Sequence, residues 1–249
     1  MTRRFYVPAD TIAGDSVEID GDLAHRIVKV LRLRAGDEIA LFDGSGTDAR
    51  VRIDAVMAHV VTATVVERAP GPMEPRVGVS LYQSITKGER FEWLLEKGTE
   101  IGVSRFVPLI TARSVVRTAG EGNRMERWRR IVVEATEQCE RSRVPEIEQP
   151  MSLDDALRAA TGVLLLPYEA AGETARTVQA ALDASIDELF ACDEVSVFIG
   201  PEGGYEPAEV ERAKEHGALV VTMGQRVMRS ETAGMVAATL VMHAVGALG

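Results

Sequence analysis

From residue 77 onward the sequence keeps returning to one figure, a run of four to six apolar residues followed by an amphipathic stretch of helical spacing. VGVSLYQ leads to ERFEWLLEKGTEI, RFVPLI to MERWRRIVVEATEQCER, GVLLLP to TVQAALD, VSVFIG to EPAEVERAKEHG, and ALVVTM to a last helix expected from Glu231. Strands that are apolar on both sides, with helices between them, imply an α/β fold whose mainly parallel sheet is covered on both faces. Ligands of such sheets sit beyond the carboxyl ends of the strands. Three of those ends, LLLPYEA, FIGPEGG and VTMGQRVMRSETA, therefore become the places to look for chemistry.

The preceding residues have a different texture. SVEI, EIALFDG, ARVRIDAV and VTATVVE alternate apolar and polar positions, broken by a brief helical AHRIVKVLRL and by the turn dipeptides Asp43-Gly44 and Ser45-Gly46. That pattern reads as a small β-rich domain with hairpins. APGPMEPR, residues 69–76, packs three prolines and a glycine into eight positions and resists helix and sheet alike. The expected division is a β domain over 1–72 and an α/β domain over 73–249. In the long helix the spacing predicts a buried stripe through Trp128, Ile131, Ala135 and Cys139, with Glu137 outside and paired to Arg141.

The formal charge of −10 argues against a protein basic all over, but a nucleic-acid face needs only local basicity, which the stretch from Arg105 to Arg143 supplies. Two cysteines and four scattered histidines form no ligand spacing, so no metal is expected. MTRRFYVPADT lacks an apolar leader core, which suggests a cytoplasmic protein. AGMVAATLVMHAVGALG is too short and too interrupted for a membrane span and reads as a buried helix.

Each strand end joins a permissive turn to polar groups. Gly200, Gly203 and Gly204 allow a ligand close to the main chain, while Pro167 and Pro201 stop their strands and leave backbone groups unpaired, as an adenine could use. Ordinary strand-to-helix turns share such residues. In GQRVMRSETAG, Ser230 or Glu231 can cap the last helix, and Arg229 either serves a ligand beside that helix terminus or makes a structural salt bridge. Glu202 is a poor neighbour for phosphate. No G-x-x-x-x-G-K-[ST], no complete dinucleotide fingerprint and no G-x-S-x-G elbow occurs.

IGPEGG and MGQRVMRSETA, together with KGERFEWLLEKGTEIGV, RWRRIVVEATEQCERSRVP and HRIVKVLRL, resemble the bacterial ribosomal RNA small subunit methyltransferase E family of the SPOUT superfamily, from about Phe5 to the C-terminus. The resemblance implies a PUA-like, RNA-binding β-barrel domain, a SPOUT methyltransferase domain with a C-terminal trefoil knot, and a homodimer with active sites at its interface. It implies transfer of a methyl group from S-adenosylmethionine (SAM) to N3 of a uridine in 16S rRNA of the small ribosomal subunit. A phosphate-free, cationic nucleoside also suits a glycine-rich turn carrying Glu202.

Carried over by position, the cofactor would be held by Leu165, Leu166, Pro167 and Glu169 from the first strand end. Ile199, Gly200, Pro201, Glu202, Gly203 and Gly204 come from the second. The third gives Met223, Gly224, Val227, Met228, Arg229 and Ser230. The family usually has Leu-Gly and Ile-Leu where this chain has Met223-Gly224 and Val227-Met228, substitutions that keep the pocket apolar. It often has glycine where Glu140 follows Gln138-Cys139. Arg229 is expected to supply positive charge to the uracil, and Glu202 to aid proton removal or orient the base. Arg26, Lys29, Arg32 and Arg34 form one expected RNA-binding patch, with Gln138 and Arg141 as weaker contacts. A SPOUT enzyme acting at another position, such as a ribose 2′-hydroxyl, and a noncatalytic RNA-binding assembly factor are the alternatives.

Overall fold

The computed structural model describes residues 3–57, 59–115, 122–172 and 175–249. It divides into two compact units, Met1–Glu74 with Thr136–Val144, and Pro75–Ala135 with Pro145–Gly249. A purely linear division misses the excursion of 136–144 into the first unit.

The first unit holds β1 (Arg4–Tyr6), β2 (Ser16–Ile19), α1 (Gly21–His25) running into a π-helical turn (Arg26–Val30), β3 (Glu38–Phe42), β4 (Thr47–Val56) and β5 (Val61–Pro70). The sheet order is β1-β3-β4-β5-β2, antiparallel except for β1 beside β3. The alternation in β4 is realised as Ala49, Val51 and Ile53 facing in, where they meet Phe5, Val17, Ile39, Leu41 and Ile27. Among the described residues no ladder joins β1 to β2, so the expected barrel is not closed by strand pairing. β5 runs two residues into the proline-rich stretch, because Pro70 stands at the strand's last position, where a missing N–H costs little.

Residues 136–144 are tied into this unit by polar contacts. Arg4 pairs with Asp48 and donates to the Arg141 carbonyl (3.0 Å) and to Ser142 Oγ (2.8 Å), while Ser142 Oγ donates to Asp48 Oδ1 (2.6 Å). Glu137 accepts from the Tyr6 amide (2.9 Å) and from Arg26 Nη1 (2.9 Å). The expected Glu137–Arg141 pair is therefore not made. Arg141 instead grips Glu74 with Nε and Nη2 at 3.1 and 2.6 Å. Opposite charges reached across the fold replace the neighbour one helical turn away.

The second unit contains β6 (Gly78–Ser84), α2 (Arg90–Ile101), β7 (Arg105–Ile110), most of α3 (Gly122–Gln138), β8 (Glu146–Ile147), β9 (Met151–Ser152), α4 (Leu153–Ala159) and β10 (Val163–Pro167). Then follow β11 (Arg176–Thr177), α5 (Val178–Ala184), α6 (Ile186–Cys192), β12 (Glu194–Ile199), α7 (Pro207–Glu215), β13 (Leu219–Thr222) and α8 (Ser230–Ala244). The strand order is β11-β13-β10-β12-β6-β7-β8, with β9 also on β7, and every ladder is parallel. On one face Tyr82 and Phe198 stack at 4.4 Å among Val107, Leu166 and Val210. On the other, α8 packs against α2, β6 and β12. Gly234 makes that closeness possible, because a Cβ there would stand 2.3 Å from Gln83 Oε1 and 2.9 Å from Leu94 Cδ1.

Two sequence expectations shift here. The buried stripe of α3 is Met125, Trp128, Val132 and Ala135, while Ile131 and Cys139 are only half-buried, since the indole packs at 4.5 Å on Phe91 of α2 and sets the helix's rotation. No described helix is long and apolar enough to cross a membrane.

Candidate functional site

β10 lies between β12 and β13, with Leu165 level with Val197 on one side and Leu219 on the other. The three carboxyl ends therefore finish side by side, at the place where the strand order reverses. The turns that follow them line a single cavity of about 360 Å³. Pro167 and Glu169 reach it from the first turn, Ile199, Gly200, Pro201, Glu202 and Gly204 from the second, and Met223, Gly224, Val227, Met228, Arg229 and Ser230 from the third.

Three expected residues lie off this surface. Leu165 and Leu166 are 1% and 0% exposed, buried within β10, so only the residues past the strand end face the cavity. Gly203 turns toward Arg113, whose Nη1 donates to its carbonyl at 3.0 Å. Sequence reading missed Tyr168, Tyr205, Thr222, Gln225, Arg226 and Ala233. Tyr168, Gln225 and Arg226 are adjacent to residues it named; Ala233 could be found one helical turn beyond Arg229.

The glycines do different work. Gly204 has φ +67°, a conformation L side chains rarely adopt, and a Cβ on it would stand 2.2 Å from Glu169 Oε1, so a side chain there would strain the turn and displace the Glu169 carboxylate. Tyr205 follows with its ring against Gly200, 3.1 Å from where a Cβ would be. Its hydroxyl is buried without a partner among the described residues. Burial first, then the charges of Glu209 and Glu169, push the phenol's pKa well above its ordinary 10.

Ser230 or Glu231 was expected to cap α8, but the capping position is Arg229, and the Ser230 hydroxyl is used elsewhere. It donates to the Gly200 carbonyl (2.5 Å) and accepts from Gln83 Nε2 (2.8 Å), which pins the third turn to the second and to β6. Arg226 and Arg229 are exposed and make no ion pair with any described residue, so Arg229 is not consumed by a structural salt bridge. Glu202 stands 3.6 Å from Arg90, whose Nε is 3.8 Å from Glu231. The lining thus combines apolar side chains, bare backbone, two carboxylates and two unpaired guanidiniums, with no lysine. A flat heterocycle with a cationic centre and a carboxylate tail fits those groups.

Of the residues expected to meet RNA, Lys29, Arg32 and Arg34 are exposed and make no ion pair with a described residue. Arg26 serves Glu137 and lies over the Phe5 ring, and Arg141 is spent on Glu74 at 11% side-chain exposure. Gln138, the last residue of α3, is exposed. Of the basic stretch 105–143, residues 116–121 lie outside the described ones. Among the described residues no group of acidic, His and Cys side chains could hold a metal.

Comparison with known proteins agrees with this arrangement. Residues 73–242 match the family model described as an RNA methyltransferase domain, and 19–65 that of an RNA methyltransferase PUA domain. Ribosomal RNA small subunit methyltransferase E of Bacillus subtilis is 31% identical, over 90% of this chain and 89% of that one. The same-named protein of Mycobacterium tuberculosis is 31% identical over 98% and 91%. A Legionella pneumophila methyltransferase solved with its cofactor SAM superposes with a TM-score of 0.84 at 30% identity, covering 98% of both chains. Ribosomal RNA small subunit methyltransferase E of Neisseria gonorrhoeae, solved with S-adenosyl methionine, gives 0.82 at 29%, again over 98% of both. This chain belongs to the ribosomal RNA small subunit methyltransferase E family.

Proposed function

We propose that this protein is a SAM-dependent methyltransferase that modifies N3 of a uridine in the 16S rRNA of the small ribosomal subunit. The observation that carries the reading is the convergence of three adjacent strand-end turns on one cavity whose carboxylates and lack of lysine disfavour a phosphorylated cofactor. Backbone groups beside Pro167, Gly200 and Gly224 would hold the adenine, and Ile199, Val227 and Met228 would cover its faces. Glu169 and Glu202 would balance the positive sulfur. When bound, the cofactor supplies an electrophilic methyl group on a sulfonium.

Methylating an imide nitrogen requires loss of the N3 proton and stabilisation of negative charge on the flanking carbonyl oxygens. Arg229 is suited to the second duty, being unpaired and placed at the positive end of the 15-residue α8. Glu202 has Arg90 beside it at 3.6 Å, which holds the carboxylate where it could orient the base. Lys29, Arg32 and Arg34 would hold phosphates, with Arg26, Gln138 and Arg141 in lesser roles because two of those three already serve carboxylates.

The same reading includes a cytoplasmic homodimer and a C-terminal trefoil knot. β13 pairs with β10 on the side away from β12, and α8 then returns across the sheet to β12, β6 and α2, a path that a threaded chain would take. Labelled SAM incubated with small subunits from cells lacking the protein, followed by nucleoside mass spectrometry, tests the activity. 3-Methyluridine is the expected product; a ribose-methylated nucleoside would move the enzyme to another position, and no transfer at all would leave an RNA-binding factor.

A further inference from the structure

Beside the cofactor cavity, and sharing Arg229 with it, lies a shallow depression lined by Lys87, Arg90, Trp93, Glu231 and Thr232. Two of its side chains are only partly used by the described residues. Trp93 is 46% exposed, against 2% for Trp128. Glu231 is only 7% exposed, yet neither carboxylate oxygen accepts a hydrogen bond from a described residue: Oε2 is buried without a partner, and Oε1 is 3.8 Å from Arg90 Nε. A buried acceptor left without a donor costs about 1–3 kcal/mol, which a fold does not bear without return. A donor brought by a ligand would satisfy it.

We propose that this depression receives the target base, with Trp93 stacking on it and Glu231 accepting the N3 proton. An unpaired pyrimidine offers a flat face to an indole, an N–H to an acceptor and two carbonyls to cations, and the depression presents all three counterparts. In the step, the N3–H bond breaks and its proton passes to the Glu231 carboxylate. The electron pair left on nitrogen forms the N–CH3 bond, and the sulfur keeps the pair of the S–CH3 bond, leaving a neutral thioether. Arg229, common to both hollows, faces the charge that develops between them. The charged groups facing Glu231 are Arg90 on α2, Lys87 and Glu89 just before it, Arg229 on its own segment, and Glu202 through Arg90.

This assignment rests on the uridine-N3 reading, and its test separates the two. With wild-type enzyme and unmodified small subunits, absence of 3-methyluridine sinks both. If the product forms, Glu231→Gln is expected to slow single-turnover methylation by about 10²-fold or more, with the rate climbing back as pH rises and solvent takes over the proton. Glu231→Asp should recover part of the loss, and calorimetric SAM affinity should stay within about twofold for both, given that Glu231 does not line the cofactor cavity. Without cofactor, Trp93→Ala should weaken small-subunit binding roughly tenfold and Trp93→Phe should restore it. An unchanged rate or pH profile in Glu231→Gln, or lost SAM affinity or dimer, would make Glu231 a structural residue. Unchanged subunit binding in Trp93→Ala would remove the base from the depression.

Discussion

The arginines that tie the first unit together and those at the cavity of the second are used in opposite ways. In the first, Arg4 is spent on Asp48, Arg26 on Glu137, Arg50 on Glu38 and Glu67, Arg68 on Asp15, and Arg141 on Glu74. At the cavity of the second, Arg226 and Arg229 have no anionic partner among the described residues. A cation paired inside the fold is neutralised and serves stability. One held by backbone alone projects its field into the hollow, where a reaction can use it. Basicity counted along a sequence cannot tell these apart, and pairing can.

Arg229→Ala should break the contrast at its strongest point. Removing the one positive group at the head of α8 that both hollows share is expected to lower methyl transfer by about 10²–10³-fold, comparable to loss of an oxyanion donor. Thermal stability should hardly change, because the guanidinium has no partner to strand. Calorimetry beside single-turnover assays checks this; full turnover with intact SAM binding would take Arg229 out of catalysis. Arg4→Ala should do the reverse. Its side chain is 11% exposed, and its loss leaves Asp48, 19% exposed, without its cation and with the Ser142 hydroxyl as its remaining side-chain donor among the described residues. A cost of about 2–3 kcal/mol is expected in denaturant titrations, discounted from fully buried pairs for the solvent that still reaches Asp48, with SAM affinity unaltered.

Much of the contrast was legible in the sequence as pattern, and little of it as pairing. The period-2 strands of the first unit and the continuous apolar runs of the second follow from one-sided and two-sided burial, and β4 and β12 fall where their patterns put them. The three turns could be named as a site because a parallel sheet delivers its strand ends to one edge. Leu165 and Leu166 lie one step inside the strand, buried and off the cavity surface. Tyr205, Trp93 and Glu231 carried no local signal of function: an orphaned hydroxyl, an exposed indole and a bare carboxylate exist only after distant segments have packed. The same holds for Arg141, whose partner Glu74 lies 67 residues away.

A salt titration sharpens the contrast within the first unit itself. Lys29, Arg32 and Arg34 are exposed cations of the expected RNA-binding patch that make no ion pair with a described residue, and phosphate binding releases about 0.7–0.9 counterions per contact. Changing all three to Ala should flatten the slope of log affinity against log salt by about 2–3. The exposed but paired Arg50, changed to Ala, should leave that slope where it was.

The smallest effect concerns Glu140. It sits two residues beyond α3 with φ +64°, the left-handed region that glycine enters freely, and its resemblance-implied family counterpart is often glycine. An L side chain in that conformation costs about 1 kcal/mol, while glycine costs more to order from the unfolded chain, so the two terms nearly offset. The next two residues are Arg141 and Ser142, both held in the first unit's polar network, so the backbone cannot relax to a negative φ without pulling them away from Glu74 and Asp48. That constraint tips the balance. Glu140→Gly is expected to raise stability by up to about 1 kcal/mol, about 2–4 °C in the melting midpoint, with turnover and SAM affinity unchanged. A lower midpoint would mean that the Glu140 side chain supports the network rather than straining the chain that carries it.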